Sequence, residues 1–427
     1  MNHTDKMILN LETEKTAEQL AWLYGIGSAV LKYQKSRYAS LIRRHAELFG
    51  DRPDLQLVSA PGRTEIGGNH TDHNNGRVLA AAINLDALCA ASPRDDMTVC
   101  FYSEGYDPIE MDLSDLSARP EEEGTTKALI RGVAAGMQQN GYRIGGFDAA
   151  VTSTVAGGSG LSSSAALEVM LTGVYDSLFN QFDMPYVLRA QVSQAAENHW
   201  FGKPSGLLDQ MASAAGGLVT VDFRDTSKPE VEPISYDFAQ RGYALVVVAT
   251  GGSHANLTDQ YAAIPTEMKQ VAACFGKKVL RGITIEDITA QLGVLRSTVS
   301  DRAIMRAIHF VTENSRVPEQ VAALKEDRID DFLRLIIDSG RSSYMYLQNV
   351  FANNQDQSLS LALCLAGGLL NGKGAWRIHG GGFAGTTLNF VPTNMVGSFV
   401  NIMNRAFGEE ACFVLNIRPV GAARIEL

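Results

Sequence analysis

Residues 157–166 read Gly-Gly-Ser-Gly-Leu-Ser-Ser-Ser-Ala-Ala, and a helix-forming stretch at 167–171 follows them directly. Glycines let a backbone turn so that several N–H groups point at one anion, and a following helix adds the positive end of its dipole. The serines add hydroxyls that can bind phosphate or a magnesium ion. A flexible linker has a similar composition, but this run is flanked by a β-rich segment at 147–155 and an amphipathic helix. The run therefore predicts a phosphate-binding loop.

Two further segments belong with this loop, which is not a Walker P-loop because Gly-x-x-x-x-Gly-Lys-Ser/Thr occurs nowhere in the chain. Residues 61–76 read Pro-Gly-Arg-Thr-Glu-Ile-Gly-Gly-Asn-His-Thr-Asp-His-Asn-Asn-Gly, and residues 379–387 read His-Gly-Gly-Gly-Phe-Ala-Gly-Thr-Thr. In order and separation, the three segments resemble the motifs of the GHMP small-molecule kinases. The first of them resembles the galactokinase signature, and the resemblance spans most of the chain.

The domain organisation follows from length and from this resemblance. A chain of 427 residues exceeds the usual size of one hydrophobic core, so two domains are expected. A loop-like stretch around Lys228 and Pro229 places the boundary near residue 225, which gives an N-terminal domain at 1–225 and a C-terminal domain at 226–427. The resemblance implies a two-domain α+β fold. Its N-terminal domain is like the second domain of ribosomal protein S5, its C-terminal domain is ferredoxin-like, and the active site lies in the cleft between them.

Hydrophobic periodicity predicts the elements around the three motifs. A helical lead-in covers 12–49 and ends at Gly50, and strands are expected at 55–59, 78–91 and 98–103. Helices are expected at 128–139, 165–178 and 187–200, a strand at 147–155 and a buried strand at 244–250. The segment 300–349 is helical, and the last hundred residues return to strands around the loop at 380.

Net charge and the N-terminus limit the partners. A net charge of -10 argues against general affinity for nucleic acids or anionic membranes. The start of the chain is polar, and the longest apolar run, 359–370, is too short to span a bilayer. We therefore expect a cytoplasmic protein whose partners are small molecules, with no nucleic acid and no membrane; the oligomeric state stays open.

Phosphoryl transfer from ATP needs a phosphate cradle, a bound metal, a positive group and a carboxylate that faces the acceptor hydroxyl. The resemblance implies that the cradle for ATP consists of Gly158, Ser159, Gly160, Leu161, Ser162, Ser163 and Ser164.

The segment 196–210 resembles the galactokinase stretch with two essential carboxylates, and Glu197 and Asp209 keep its spacing of twelve residues. By this resemblance Glu197 and Ser164 hold Mg²⁺, which prefers hard oxygen ligands. Asp209 faces the sugar hydroxyl as a base, and Arg63 lies beside it, where it keeps the carboxylate ionised and offsets charge on the phosphoryl group. Without the resemblance, Glu197 would be a solvated helix residue, Asp209 a helix cap and Arg63 a surface turn residue.

The sugar contacts are likewise implied by the resemblance. His70 and Asp72 alone would suggest a His-x-Asp metal pair, whereas in the galactokinase motif Asp72 accepts hydrogen bonds from vicinal hydroxyls and His70 serves the far end of the sugar. Tyr261 follows His254 by seven residues, which is the family spacing for a sugar-contacting tyrosine; it could equally be a half-buried helix residue. The full set of implied sugar contacts is Asn69, His70, Asp72, Asp209 and Tyr261.

The chain departs from the galactokinase pattern mainly where the sugar should bind. Asn69 stands where the family has a glutamate facing the O6 end of the sugar, Glu65 where it has an asparagine, and His73 where it has an aromatic residue. The proline before the serine loop is absent at Ala156. The loop at 380–385 satisfies Gly-x-Gly-x-x-Gly, but the strand-like residues after it argue against a dinucleotide-binding turn. The catalytic positions match and the sugar-facing ones differ.

The sequence thus predicts an ATP-dependent sugar 1-kinase that phosphorylates the anomeric hydroxyl of galactose or a related sugar. One alternative is a galacturonic acid (uronic acid) 1-kinase, because plant galacturonokinases also lack the signature glutamate and have a histidine after the aspartate. The other is a non-catalytic sugar sensor of galactokinase-like sequence, against which the intact catalytic positions speak.

Overall fold

A computed structural model describes residues 1–157, 160–251, 257–351, 353, 355–383 and 385–427, apart from the side chain of Thr258. Among these residues no helix has both the length and the apolarity that crossing a bilayer requires.

Helices occur in every segment predicted to be helical, and others were not predicted, including two, 358–370 and 396–407, in the last hundred residues, where strands were expected. The helices of the described residues are α1 His3–Asn10, α2 Glu14–Tyr24, α3 Ser28–Phe49, α4 Thr126–Gln139, α5 Ser163–Phe179, α6 Tyr186–His199, α7 Leu208–Ala215, α8 Thr258–Cys274, α9 Ile285–Ala290, α10 Leu292–Thr298, α11 Asp301–Lys325, α12 Ile329–Ser342, α13 Ser358–Leu370 and α14 Val396–Phe407.

The strands form two sheets. They are β1 Gln56–Gly67, β2 Arg77–Pro93, β3 Thr98–Ser103, β4 Ile109–Asp112, β5 Phe147–Ser153, β6 Leu218–Asp222, β7 Glu230–Ile234, β8 Tyr243–Ala249, β9 Ala375–His379, β10 Thr386–Pro392, β11 Cys412–Leu415 and β12 Ala423–Ile425.

The first sheet has the order β12-β1-β2-β5-β3-β4, and β6 extends β2 and carries β7 beside it. Its inner face is covered by α5 and α7, on which α4 and α6 pack, and the apolar side chains of these four helices share one core with the strands. Its outer face is covered by the lead-in helices, where Leu20, Tyr38 and Ile42 pack on strand residues such as Leu88. The predicted end of the lead-in at Gly50 is confirmed, since Gly50 caps α3 with a positive φ of 81°.

The second sheet is antiparallel, in the order β11-β8-β10-β9. Helix α12 packs on β9, and α13 and α14 pack on the other side of the sheet. Helix α11 reaches back to β1 and β2 of the first sheet. The predicted α+β class with two sheets is confirmed, and the N-terminal end of the glycine-rich loop at 380 follows β9 as expected.

The chain does not change sheets at residue 225. Residue 225 falls inside the hairpin of β6 and β7, whose antiparallel pairing runs from Leu218↔Ile234 to Asp222↔Glu230. The change to the second sheet therefore comes after Ile234, because a hydrogen-bonded hairpin stays in one sheet. The division into two domains at 1–225 and 226–427 stays a prediction.

A strand from the far end of the described chain completes the first sheet. β12 pairs with β1 through Leu57↔Ile425 and its neighbours. Just before it, the fully buried Arg418 donates to Ser59 Oγ at 2.7 Å and approaches Asp86 Oδ2 at 3.3 Å. Arg37 of α3 reaches the other oxygen of Asp86 at 2.6 Å. The buried aspartate thus joins the lead-in, the first sheet and the last strand.

Candidate active site

Arg63 and Asp209 form a bidentate ion pair at the centre of the candidate site. Arg63 Nε donates to Asp209 Oδ1 at 2.6 Å and Nη2 donates to Oδ2 at 2.8 Å. The Arg63 side chain is 8% exposed and that of Asp209 is 35% exposed. The guanidinium therefore lies behind the carboxylate, and the carboxylate keeps an accessible face.

The surroundings of Asp209 keep it ionised. It lies in the first turn of α7, where the helix dipole favours negative charge. Burial alone would raise the pKa of Asp209, but the charge of Arg63 and hydrogen bonds from Arg63 and Ser162 outweigh burial and hold the pKa below its usual value. The N-cap of α7 is Leu207, so Asp209 is not a helix cap. Arg63, buried in β1, is not a surface turn residue.

The second half of the serine loop is attached to β1 at this ion pair. Arg63 N–H donates to Leu161 O at 3.0 Å, and Arg63 Nη1 donates to Gly160 O at 2.5 Å. A Cβ on Gly62 would lie 2.7 Å from Leu161 O, so only glycine allows this approach. Ser162 completes the attachment through its hydrogen bond to Asp209.

The loop enters α5 as the sequence predicts. Gly160 has a φ of +70°, and Ser162 adopts the left-handed conformation just before α5 begins at Ser163. Ser163 and Ser164 thus occupy the first turn of a helix, where backbone N–H groups have no intrahelical partner and can bind an anion. Two of the predicted phosphate contacts, Gly158 and Ser159, lie outside the described residues.

Glu197 is the second buried carboxylate of the site. Its side chain is 3% exposed, so it is not a solvated helix residue. Its Oε1 accepts from Ser164 Oγ at 3.3 Å and from Lys203 Nζ at 2.7 Å. Its Oε2 accepts from Gln210 Nε2 at 2.8 Å. The structure thus brings Ser164 and Glu197 together as predicted from the resemblance.

The Ser164 hydroxyl and the Glu197 carboxylate are suitable ligands for a divalent cation such as Mg²⁺. A serine hydroxyl and a carboxylate are hard oxygen ligands, and Mg²⁺ usually takes few protein ligands besides phosphate oxygens and water. A positive group, the Lys203 ammonium, already lies against Glu197 Oε1. Within the described part of the chain, no group of three or more His, Cys, Asp and Glu side chains could hold a metal ion, so the protein's share at this place is one carboxylate and one hydroxyl.

The sequence analysis did not assign a role in this site to Lys203, Gln210 or Glu168. The Gln210 amide donates to Glu197 and also to Glu168 Oε2 at 3.0 Å. Burial and the nearby Glu197 raise the pKa of the fully buried Glu168 well above its usual value. The available signal was proximity along the chain, because Lys203 follows Glu197 by six residues and Gln210 directly follows Asp209.

Asp72 lies next to the loop that leads to Asp209. It begins a short 3-10 turn, Asp72–Asn74, and its side chain is 13% exposed. A Cβ on Gly206 would lie 1.7 Å from Asp72 Oδ2, so the backbone before α7 passes directly over this carboxylate.

His70 and Tyr261 meet at the glycine-rich loop of the second sheet. Burial lowers the pKa of His70 to about 3, so its imidazole is neutral, and its Nε2 lies 3.2 Å from Gly381 O. The Tyr261 hydroxyl donates to Gly382 O at 3.0 Å, and a Cβ on Gly381 would lie 2.5 Å from its ring. His254, from which the spacing to Tyr261 was counted, lies outside the described residues.

The predicted contact between Asn69 and the sugar stays a prediction, and in this structure the Asn69 side chain points into the protein. Asn69 is fully buried. Its Nδ2 donates to Glu65 Oε1 at 3.0 Å and to Gly380 O at 2.7 Å. Its Oδ1 accepts from Ser343 Oγ and Asn349 Nδ2, both at 3.1 Å. Both amide hydrogens and both lone pairs are used inside the protein, which leaves no group for a ligand.

The two departures at positions 65 and 69 form one hydrogen-bonded pair. Glu65 Oε1 accepts from Asn69 and from Arg377 Nη2 at 2.6 Å. Burial raises the pKa of Glu65, and the charge of Arg377 offsets only part of that rise. A carboxylate and an amide thus contact each other here, and the pairing could not be recognised before the fold placed Arg377 beside them.

The third motif packs on the first. Glu65 N–H donates to His379 Nε2 at 3.2 Å, and His379 Nδ1 lies 2.9 Å from Thr386 Oγ1. The glycine-rich loop leads into β10 and not into a helix, which confirms that it is not a dinucleotide-binding turn. The candidate site therefore lies where the loop of the second sheet meets β1 of the first.

Family models match both motif regions of the N-terminal half. The galactokinase galactose-binding signature matches residues 43–93, and the GHMP kinases N terminal domain matches residues 128–217. The chain is 33% identical to a galactokinase of Streptomyces coelicolor over 390 residues, which is 89% of this chain and 96% of that protein. It is also 33% identical to a galactokinase of Actinobacillus pleuropneumoniae over 347 residues, or 80% and 86% of the two chains.

Solved structures agree in fold. The crystal structure of Lactococcus lactis galactokinase complexed with galactose matches with a TM-score of 0.79 and 26% identity, covering 89% of this chain and 98% of that one. Mevalonate kinase of Methanococcus jannaschii matches with a TM-score of 0.61 at 14% identity, over 84% and 98% of the two chains, which is a likeness of fold alone.

Proposed function

The chain belongs to the galactokinase family of GHMP kinases, and from this we propose that it transfers the γ-phosphoryl group of ATP to the anomeric hydroxyl of galactose or a close relative. The observation that carries the proposal is the joint attachment of Arg63, Asp209 and the serine loop. One arginine binds the candidate base with two nitrogens and the loop backbone with a third.

Asp209 is suited to orient a hydroxyl more than to remove its proton early. Its lowered pKa makes it a weak base in the ground state. Phosphoryl transfer passes through a loose transition state in which the hydroxyl loses its proton late, so positioning and charge stabilisation supply most of the rate enhancement. Arg63 holds the carboxylate in place and leaves its accessible face for the sugar.

The nucleotide is held by the first turn of α5 and the loop before it. Ser164 and Glu197 would hold Mg²⁺, which when bound neutralises phosphate charge and orients the γ-phosphoryl group. Arg63 and the N-terminus of α5 add positive potential on the same side. Asp209 also lies beside that helix turn, because it accepts a hydrogen bond from Ser162. The carboxylate that faces the sugar hydroxyl and the loop that binds the nucleotide are therefore in direct contact.

Asp72, His70 and Tyr261 are our candidates for the sugar contacts other than Asp209. Asp72 lies under the loop before α7, and His70 and Tyr261 contact carbonyl groups of the glycine-rich loop. A neutral His70 that donates from Nε2 to Gly381 O keeps Nδ1 as an acceptor, which suits a sugar hydroxyl. The sugar would then lie between the first sheet and the loop of the second.

The structure weakens the uronic acid alternative. That alternative relied on Asn69 as an amide facing a C6 carboxylate, and Asn69 is buried with all of its hydrogen bonds used internally. The sensor alternative has no support from the catalytic centre, whose ion pair and Ser164–Glu197 contact are intact.

A coupled assay for ADP tests the proposal. Purified protein with Mg²⁺ and ATP should form ADP only when a suitable sugar is added, and chelation of the metal should stop it. The panel should include galactose, other hexoses, uronic acids and amino sugars, with calorimetry run in parallel. Sugar binding without sugar-dependent ADP across the panel would support the sensor and overturn the kinase.

A further inference from the structure

Lys203 lies in the loop between α6 and α7 and contacts the buried Glu197. Its Nζ is 2.7 Å from Glu197 Oε1, while its side chain is 59% exposed and that of Glu197 is 3% exposed. The ammonium therefore reaches in from solvent and caps a carboxylate that is otherwise enclosed. A lysine ammonium is a compact positive charge with three donors, so it suits this place on the carboxylate oxygen.

The same oxygen is the one that a metal ion would use. Ser164 Oγ lies 3.3 Å from Oε1, whereas the other oxygen, Oε2, is occupied by the buried Gln210 amide at 2.8 Å. A cation between Ser164 and Glu197 must therefore bind at Oε1. The Lys203 ammonium and a metal ion would therefore compete for Glu197 Oε1.

The enclosure of Glu197 explains why a resident positive charge is useful. Glu168 is fully buried beside Glu197, and the neutral Gln210 amide bridges the two, so neither neighbour supplies a positive charge. With no cation present, Glu197 would be a buried charge without a counter-ion, which is costly. The lysine compensates the charge without closing the site.

The backbone of the loop around Lys203 is held at both ends, so the lysine side chain can move away from Glu197 without a movement of the loop. At one end, a Cβ on Gly202 would lie 2.3 Å from Glu123 Oε1, so the chain is tightly packed there. At the other end, Ser205 N–H donates to Asn198 Oδ1 at 2.7 Å. Between these points, the lysine has four flexible methylene groups and a side chain that is 59% exposed.

We propose that Lys203 is the resident counter-ion of the metal site, which occupies Glu197 Oε1 while the nucleotide is absent and is displaced when the metal–nucleotide complex binds. This inference rests on the proposed function, because it takes Ser164 and Glu197 as the protein ligands of Mg²⁺. It goes further by predicting that the free metal binds poorly to the empty protein. The nucleotide overcomes this competition because its phosphates give the displaced ammonium a new partner.

The test is Mn²⁺ binding to the nucleotide-free protein, followed by electron paramagnetic resonance, with Mn²⁺ as the probe for the divalent cation. Lys203→Met should tighten Mn²⁺ binding by roughly tenfold, since it removes one competing charge from a largely buried carboxylate. Lys203→Arg, which keeps the charge, should not tighten it. Lys278→Met, which changes an exposed lysine of another loop, is the matched control and should leave the affinity unchanged. Equal affinity in Lys203→Met and the unchanged protein would overturn the inference.

Two further measurements separate this inference from the proposed function. Glu197→Gln in the Lys203→Met background should abolish the tightened site; if tight binding persists, the metal lies elsewhere and the inference fails. The coupled ADP assay is run on the unchanged protein. Sugar-dependent turnover together with an unaltered Mn²⁺ affinity in Lys203→Met would reject the counter-ion and leave the kinase standing, whereas absence of turnover would reject the kinase itself.

Discussion

At the scale of single residues, the arginine behind Asp209 sets what the carboxylate can do. Each Asp209 oxygen accepts one hydrogen bond from Arg63, and Oδ2 accepts another from Ser162. Each carboxylate oxygen offers about two acceptor sites, so at least one remains for a sugar hydroxyl. The group is thus a fixed, charged acceptor.

Asp209→Asn should lower kcat by at least ~100-fold, because the shape is kept and the charged acceptor is lost. Sugar affinity, measured by calorimetry, should change much less than kcat. Asp225→Asn, at an exposed aspartate whose carboxylate accepts from Ser227 in the same turn, is the control. Near-native turnover in Asp209→Asn would show that another group orients the hydroxyl.

Asn69→Glu should destabilise the protein by about 3 kcal/mol, because it buries a second carboxylate against Glu65 without a new cation. The double variant Glu65→Asn with Asn69→Glu restores a carboxylate–amide pair and should recover at least half of the loss. Urea unfolding of the single and double variants measures both effects. A stable single variant would mean that the side chain at 69 can turn outward, toward the ligand site.

At the scale of elements, the serine loop is shaped by what it packs against. Gly160 has a positive φ, and a Cβ there would lie 2.5 Å from Thr386 Oγ1 of β10. Its carbonyl accepts from Arg63. A strand of the second sheet therefore helps to fix the loop that follows a strand of the first.

Gly160→Ala should raise the KM for ATP roughly tenfold, because a left-handed alanine costs about 1 to 2 kcal/mol and the contact with Thr386 pushes the loop away. The KM for the sugar should change less. Gly157→Ala is a matched control in the same loop, since a Cβ there would meet none of the described residues within 4 Å. Equal kinetics for the two variants would show that the loop does not depend on the contact with β10.

Much of the element order could be predicted from the sequence, because helix and strand periodicities are local. The lead-in ending at Gly50, the strand–loop–helix unit around the serines and the strand after Gly385 were all expected. The roles of Asn69 and Lys203 could not be predicted, because their partners, Ser343, Asn349 and the buried oxygen of Glu197, are set by packing. The same holds for β7, whose place in the first sheet depends on pairing with β6.

At the scale of the whole molecule, Glu313 of α11 joins the two sheets. Its Oε1 accepts from Gly68 N–H of the first motif at 3.0 Å and from Ser339 Oγ of α12 at 2.6 Å. Burial alone would raise the pKa of Glu313, but the charges of Arg316, His309 and Arg377 outweigh burial and lower the pKa to about 2.

This pKa makes the junction sensitive to acid. A carboxyl group with a folded pKa of about 2 and an ordinary value of 4.5 contributes stability that is complete above pH 4.5 and is lost as the pH falls toward 2. The difference corresponds to about 3 kcal/mol. Glu313→Gln should therefore lose less unfolding free energy than the unchanged protein between pH 6 and pH 3, as measured by urea unfolding. The exposed Glu409→Gln serves as the control, and parallel pH curves for Glu313→Gln and the unchanged protein would refute the role of Glu313.

The pairing of β12 with β1 has a consequence during synthesis. Residue 57 leaves the ribosome long before its sheet partner, Ile425, is made. The other strands of both sheets are made in between. Until then the edge of β1 is open, and the buried Asp86 lacks one of its two arginines, Arg418. Pairings this distant along the chain form slowly, and an open strand edge is a template for wrong partners. Native pairing at this edge of β1 should therefore be complete only after β12 has been made.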